Sequence, residues 1–145
     1  MNAALDPRDC PYVGLDPFKR EYEPFFFGRE RDSRIIGDSV SARRITILYG
    51  ASGVGKSSVL NVGLPVELNE RRPDWVIATH RDWHDPDGIE GRVMSTLREA
   101  LPDGETLETT ERPLLLILDQ FEEYFLYETR TGVTAAEKAF GALVS

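Results

Sequence analysis

Three short stretches of the chain are apolar enough to be strands inside a sheet. Residues 44–49 read Arg-Ile-Thr-Ile-Leu-Tyr, residues 75–79 read Trp-Val-Ile-Ala-Thr, and residues 113–119 read Pro-Leu-Leu-Leu-Ile-Leu-Asp. Each is β-branched or continuously apolar over too few positions for a helix, and the second follows the turn signal Arg-Pro-Asp at residues 72–74. The third, with five consecutive apolar residues, predicts a strand buried on both faces. Between the strands the period changes from two to about four. Ile89, Val93, Leu97 and Leu101 recur every four residues with Met94 beside them, which predicts an amphipathic helix over residues 88–101. Shorter helices are expected over residues 30–39, with Ile35 and Ile36 inward, and over residues 134–145, with Ala135, Ala139, Phe140 and Leu143 inward. Strands alternating with helices place the chain in the α/β class, with a mostly parallel sheet.

The turn between the first strand and the next helix carries the strongest chemical signal. Residues 50–57 read Gly-Ala-Ser-Gly-Val-Gly-Lys-Ser and fit the phosphate-binding pattern G-x-x-x-x-G-K-[ST] at every fixed position. Glycines at 50, 53 and 55 let the backbone take positive φ and curl its N–H groups into a nest for phosphate oxygens at the start of a helix. Lys56 can reach the β- and γ-phosphates, and the Ser57 hydroxyl is a hard oxygen suited to Mg²⁺. Gly50, Ser52, Gly53, Val54, Gly55, Lys56, Ser57 and Ser58 are the expected nucleotide contacts. The helix that follows is expected to be short, because Gly63 and Pro65 break or kink it, with residues 66–69 resuming for one turn.

A second signal closes the third strand. Asp119 follows its apolar run at the carboxyl end, where open α/β sheets bind ligands, as a Walker B acid does. Its carboxylate is the expected partner of Ser57 in holding Mg²⁺. Glu122 and Glu123 lie within a turn of it, and either carboxylate can orient or deprotonate an attacking water, though adjacent acids on a surface turn are more often solvated charge.

Composition narrows the function classes. A hydrophobic fraction of 41% suffices for a core, so one globular domain is expected. The net charge of −8 disfavours a sequence-independent grip on nucleic acid. The single cysteine, Cys10, cannot close an internal disulfide and no leader pattern opens the chain, which points to a reducing cytoplasm. The longest uninterrupted apolar run, residues 114–118, is far short of a membrane span.

The remaining segments carry weaker signals. Residues 1–24, with Pro7, Pro11, Pro17 and Pro24, read as an irregular arm, and Phe25, Phe26 and Phe27 as core or as cover for a nucleotide base. Residues 80–86 read as a polar loop with no helical pattern, in which no thiol joins His80, His84, Asp82 and Asp85, so a solvated loop is expected over a zinc site. Trp83 is expected to be a packing anchor. Residues 102–112 read as a mobile acidic connector.

Four segments taken together resemble one family. Tyr-Val-Gly-Leu-Asp-Pro-Phe at 12–18, Phe-Phe-Gly-Arg-Glu at 26–30, the glycine loop at 50–57 and Leu-Ile-Leu-Asp-Gln-Phe-Glu-Glu at 116–123 are similar, in order and spacing, to the N-terminal part of the novel STAND NTPases. These are signal-transduction ATPases related to the NACHT and apoptotic-ATPase groups. The resemblance implies that Gly28, Arg29 and Glu30 form a box near the adenine, that Gly50, Gly55, Lys56 and Ser57 are the Walker A residues, and that Asp119 is the Walker B acid. It also matches Glu122 and Glu123 to an acidic pair that follows Walker B in NACHT-like relatives. The implied function is an ATP–Mg²⁺ switch that acts with other domains or protomers of a signalling assembly.

In such P-loop folds the strand bearing a polar sensor lies between the P-loop strand and the Walker B strand but comes later in the chain. No further apolar strand follows Leu118. The expectation is therefore an irregular arm over 1–24 and, over 25–145, a P-loop NTPase-type three-layer domain incomplete at its C-terminus, hydrolysing ATP at least in its full-length parent. A non-catalytic interaction module with exposed strand edges is the competing reading. Small-molecule kinase activity is a third, although nothing resembles an acceptor site.

Overall fold

The computed structural model describes residues 28–83 and 89–124. The described residues fall into two compact units divided between Trp75 and Val76. The arm over residues 1–24, the aromatic run Phe25 to Phe27, His84, Asp85 and the helix expected over residues 134–145 lie outside the described residues.

The first unit is helical. Helix α1 spans Glu30–Ala42, with Glu30 and Asp32 in its first turn, where carboxylates oppose the positive end of the helix dipole. Its inward face is formed by the small residues Ser33 and Gly37, four apart, rather than by the adjacent isoleucines: Ile36 is half-buried and Ile35 is 53% exposed. Gly37 explains the choice. A Cβ there would meet Glu67 Cγ at 3.4 Å and Leu64 Cδ1 and Leu68 Cδ2 at 3.8 Å, so a small residue lets α1 lie close against the helix carrying those side chains.

That helix is one continuous helical run in three parts. It opens with α2 over Lys56–Ser58, widens into a π-helical turn over Val59–Gly63, and continues as α3 over Leu64–Arg71. Gly63 and Pro65 therefore do not end it. Leu64 N–H reaches back to the Val59 carbonyl, five residues away, and the widened turn accommodates Pro65, which follows it and has no N–H to give. Val59, Val62, Leu64 and Leu68 form the buried core of this unit. Arg71 ties α3 to α1, its Nη2 donating to Asp38 Oδ1 at 2.7 Å and its Nη1 to Glu67 Oε1 at 2.9 Å.

The segment 44–49 departs from expectation. Among the described residues it joins no sheet, and Ile47 and Tyr49 are 80% and 89% exposed. An apolar run specifies burial in a sheet, but a strand forms only beside a partner that takes up its backbone groups. The described sheet consists of two other strands alone, Val76–His80 and Leu114–Leu118.

The second unit holds that sheet. Strand β1, Val76–His80, and strand β2, Leu114–Leu118, pair in parallel with Val76 opposite Leu114 and His80 opposite Leu118. The crossover between them contains α4, Ile89–Ala100, which packs on β1 and buries Val93. In β2 only Ile117 is fully buried and Leu114 is exposed, so this strand is covered less than its continuous apolar run implies. The connector of residues 102–112 is knit together: Glu105 accepts from Thr110 Oγ1 at 2.8 Å and from Arg112 Nε at 3.1 Å. Those two donors, Thr110 first, hold the Glu105 carboxyl below its usual range.

Candidate functional site

The first unit carries the glycine loop between Gly50 and the start of α2. Gly53 and Gly55 have φ of 79° and 82°, the left-handed region open to glycine at little cost. The positive φ at Gly55, directly before α2, turns the chain from loop to helix. Lys56 folds back over the loop, and its Nζ donates to the carbonyls of Gly50 and Ala51, both at 2.9 Å. Two carbonyls converging on one ammonium hold the ends of the loop in a ring. In a trans peptide the N–H points opposite to the carbonyl, so the donors of Ala51 and Ser52 face away from the lysine. Ser52, Gly53 and Val54 are exposed, while Gly55, Ser57 and Ser58 are half-buried.

Gly28 and Arg29 precede α1. Gly28, at φ 81°, donates its N–H to Glu30 Oε1 at 2.9 Å. The Glu30 carboxyl is held below its usual range by its own backbone N–H and by that of Gly28. Arg29 lies across the gap between α1 and the loop. Its Nε donates to Asp32 Oδ2 at 2.6 Å and its Nη1 to the Val54 carbonyl at 2.9 Å. Arg29 and the glycine loop, 25 residues apart at that bond, are thus brought together.

The second unit carries Asp119, Glu122 and Glu123. Asp119 extends the β2 ladder by one residue, its N–H donating to the His80 carbonyl at 2.9 Å, and it is buried. Its own carbonyl accepts from the Trp83 indole Nε1 at 2.8 Å. The next residue, Gln120, has φ 56°, a conformation that costs a non-glycine residue roughly 1–2 kcal/mol. Arg81 Nε holds the Gln120 side-chain oxygen at 2.7 Å, and the turn closes with Glu123 N–H on the Gln120 carbonyl at 2.9 Å. Glu122 is exposed and Glu123 half-buried on this turn.

An aromatic cluster supports the turn. Trp83 is buried, with ring centroids 4.9 Å from His80 and 5.2 Å from Phe121 in edge-on contacts, while Phe121 stacks on Tyr124 at 5.4 Å. The expectation of Trp83 as a packing anchor holds. His80 differs from expectation: it ends β1 and is only 4% exposed, where a solvated polar loop was expected. No group of three or more His, Cys, Asp or Glu side chains that could hold a metal ion occurs among the described residues.

The His80 ring can be assigned a tautomer. Thr96 Oγ1 donates its one proton to the Arg92 carbonyl at 3.0 Å, so at 3.0 Å from His80 Nδ1 it acts as the acceptor. Nδ1 therefore carries the hydrogen, and Nε2 is a bare lone pair buried without a protein partner among the described residues. Burial pushes the ring below its ordinary value, outweighing Asp82, whose backbone hydrogen bond and charge act in the opposite sense; the Arg92 charge adds to the lowering. A base whose folded value is depressed is protonated more readily when unfolded. Its contribution is complete above the unfolded value near 6.5 and is lost as pH falls through and below it. The urea midpoint of the protein is expected to fall between pH 7.5 and pH 5.5, and His80→Leu to flatten that slope. An unchanged slope in the variant would refute the assignment.

Sequence reasoning did not find Asp32 as a carboxylate holding Arg29, nor the Trp83 indole on the Asp119 carbonyl. The signal for Asp32 was its spacing three residues after Arg29 on a predicted helix. For the indole no local signal exists, since its partner lies 36 residues away.

A glycine-bearing loop that leads into a helix and is closed by a lysine, followed later in the chain by an acid at the end of a parallel strand, fits the nucleotide-binding α/β proteins. A family model described as Novel STAND NTPase 1 matches residues 11–144, and the chain belongs to that family. Among curated proteins and among solved structures, none matches the chain. Membership makes it a nucleotide-binding signalling module of α/β type. Among the described residues no helix is long and apolar enough to cross a membrane.

Proposed function

We propose that this chain binds ATP with Mg²⁺ as the P-loop module of a STAND-type signalling switch in the cytoplasm, and that it hydrolyses ATP at least within its full-length parent. The observation that carries the reading is the loop itself: left-handed Gly53 and Gly55 leading into α2, with the Lys56 ammonium resting on the carbonyls of Gly50 and Ala51. Among the described residues the ammonium is held by neutral carbonyls, which it can exchange for phosphate oxygens, a stronger charge-assisted contact. Ser52, Gly53, Val54, Gly55 and Ser58 line the seat, and Gly28 and Arg29 stand beside it on the approach to α1. Such a cradle suits a hard, highly charged anion better than a neutral ligand.

Ser57 and Asp119 are the residues that would hold Mg²⁺, by hydroxyl and carboxylate oxygen respectively. When bound, the ion neutralises charge on the phosphates and orients them. Glu122 and Glu123 fall to the chain's own acid–base chemistry: a carboxylate here holds an attacking water or takes its proton. In a three-layer P-loop fold the segment 44–49 is the central strand, and its exposed Ile47 and Tyr49 are what a neighbouring strand of the sheet, or of another protomer, would cover. That exposure also favours the second reading, a non-catalytic module that pairs with a protein partner through this segment.

Turnover distinguishes the two. In this protein, Glu122→Gln and Glu123→Gln are each expected to leave the affinity for ATP within about threefold, while at least one of them lowers turnover roughly 100-fold or more, within the range of general base catalysis. ATP hydrolysis unaltered by both substitutions would remove the acidic pair from the reaction. An absence of any hydrolysis would favour the interaction module.

A further inference from the structure

Resting on the nucleotide reading, the geometry points to Arg29 as a clamp on the phosphate loop: by holding the Val54 carbonyl it aims the Gly55 N–H into the anion seat, a positioning role distinct from contact with the base. The peptide joining Val54 to Gly55 is planar and trans, so its oxygen and its N–H point in opposite directions. Arg29 Nη1 holds that oxygen at 2.9 Å. The N–H of Gly55 therefore points away from the guanidinium, from the opposite edge of the same peptide.

A clamp has work to do at this peptide. Glycine at 55 sits at φ 82°, and with no side chain on that residue the peptide before it can flip at low cost. A flip would present the Val54 carbonyl, a partial negative charge, to an anion in place of a donor. The same glycine admits the clamp: a Cβ on Gly55 would lie 3.2 Å from Arg29 Nη1, tighter than ordinary contact. Arg29 is itself braced at both ends. Asp32 holds its Nε at 2.6 Å, and its backbone carbonyl accepts from Ser33 N–H and Ser33 Oγ at 2.9 and 3.0 Å. A planar fork with one arm on a carboxylate and another on a carbonyl is geometry that guanidinium provides and ammonium does not. The Arg29 guanidinium and the Lys56 ammonium thus fix different peptides of one loop, Lys56 at Gly50 and Ala51, Arg29 at Val54.

The test compares ATP with inorganic tripolyphosphate, which has the phosphates and no base, by calorimetry in Mg²⁺ on the wild-type chain, Arg29→Ala and Arg29→Lys. The clamp predicts that Arg29→Ala weakens both ligands by the same factor, roughly tenfold, as expected for one misdirected charge-assisted donor. Arg29→Lys should recover part of the loss for both, since an ammonium can reach the carbonyl without the fork, whereas damage to folding would lower the urea midpoint of both variants alike. A loss for ATP with tripolyphosphate unchanged would make Arg29 a base-reading residue and overturn the clamp, as would two variants that bind both ligands like wild type. A wild-type chain that binds neither ligand would overturn the nucleotide reading and the clamp together.

Discussion

Lys56→Ala is expected to abolish nucleotide binding, weakening ATP in the presence of Mg²⁺ by a hundredfold or more. The ammonium has two functions in one position. It draws the carbonyls of Gly50 and Ala51 to 2.9 Å and so holds the ring closed. On the proposed reading, the same charge would meet the phosphate oxygens of a bound triphosphate. Alanine removes both. Loss of a charge-assisted hydrogen bond alone is worth about 1.5–3 kcal/mol, or roughly 10- to 150-fold in affinity, and a loop no longer closed adds to it. Calorimetry on the wild-type and variant chains reads the ratio directly. The folding stability of the variant should change little, since the ammonium bonds sit on an exposed loop and the buried core of Val59, Val62, Leu64 and Leu68 is untouched. Equal affinities in the two proteins would mean that Lys56 grips no phosphate.

Trp83→Ala is expected to be the most destabilising single change in the second unit, by about 3–5 kcal/mol in urea unfolding, the usual cost of emptying a buried aromatic site. The indole is 2% exposed and touches His80, Phe121 and Tyr124. Trp83→Phe separates packing from hydrogen bonding. It retains a ring but removes the donor from the Asp119 carbonyl, and the loss of that single buried bond is expected to cost about 1–3 kcal/mol. Because the carbonyl belongs to Asp119 and the strained Gln120 follows, Trp83→Phe should also loosen the turn that carries Glu122 and Glu123. Faster amide exchange at Gln120 and Glu123 would report this. A Trp83→Ala protein as stable as wild type would refute the assignment of Trp83 as the anchor.

The α/β class, β1, β2 and α4 were legible in the sequence because each is a local pattern: a short apolar run or a four-residue period is visible whatever its partner. The glycine loop was legible because backbone conformation there depends on glycine itself, and Gly53 and Gly55 adopt the positive φ that their residue type permits. Matters decided by distant partners were not legible. Ile35 and Ile36 are equally apolar, yet Ser33 and Gly37 face inward because α3 needs a close approach at Gly37. Residues 44–49 carry the composition of a strand, but composition does not supply the neighbour a ladder requires. Gly63 and Pro65 are helix breakers in isolation, and a widened turn before α3 accommodates both. The bonds from Arg29 to Val54 and from Trp83 to Asp119 join residues 25 and 36 positions apart, beyond the reach of any local pattern.

The most direct test that the loop of residues 50–57 grips a triphosphate is to follow its backbone amides by NMR as ATP and Mg²⁺ are added to the wild-type chain. The amide resonances of Gly53, Gly55 and Lys56 are expected to move in a saturable way, with tripolyphosphate shifting the same three. Saturable binding that leaves these three amides in place while others move would contradict the assignment of this loop as the phosphate site.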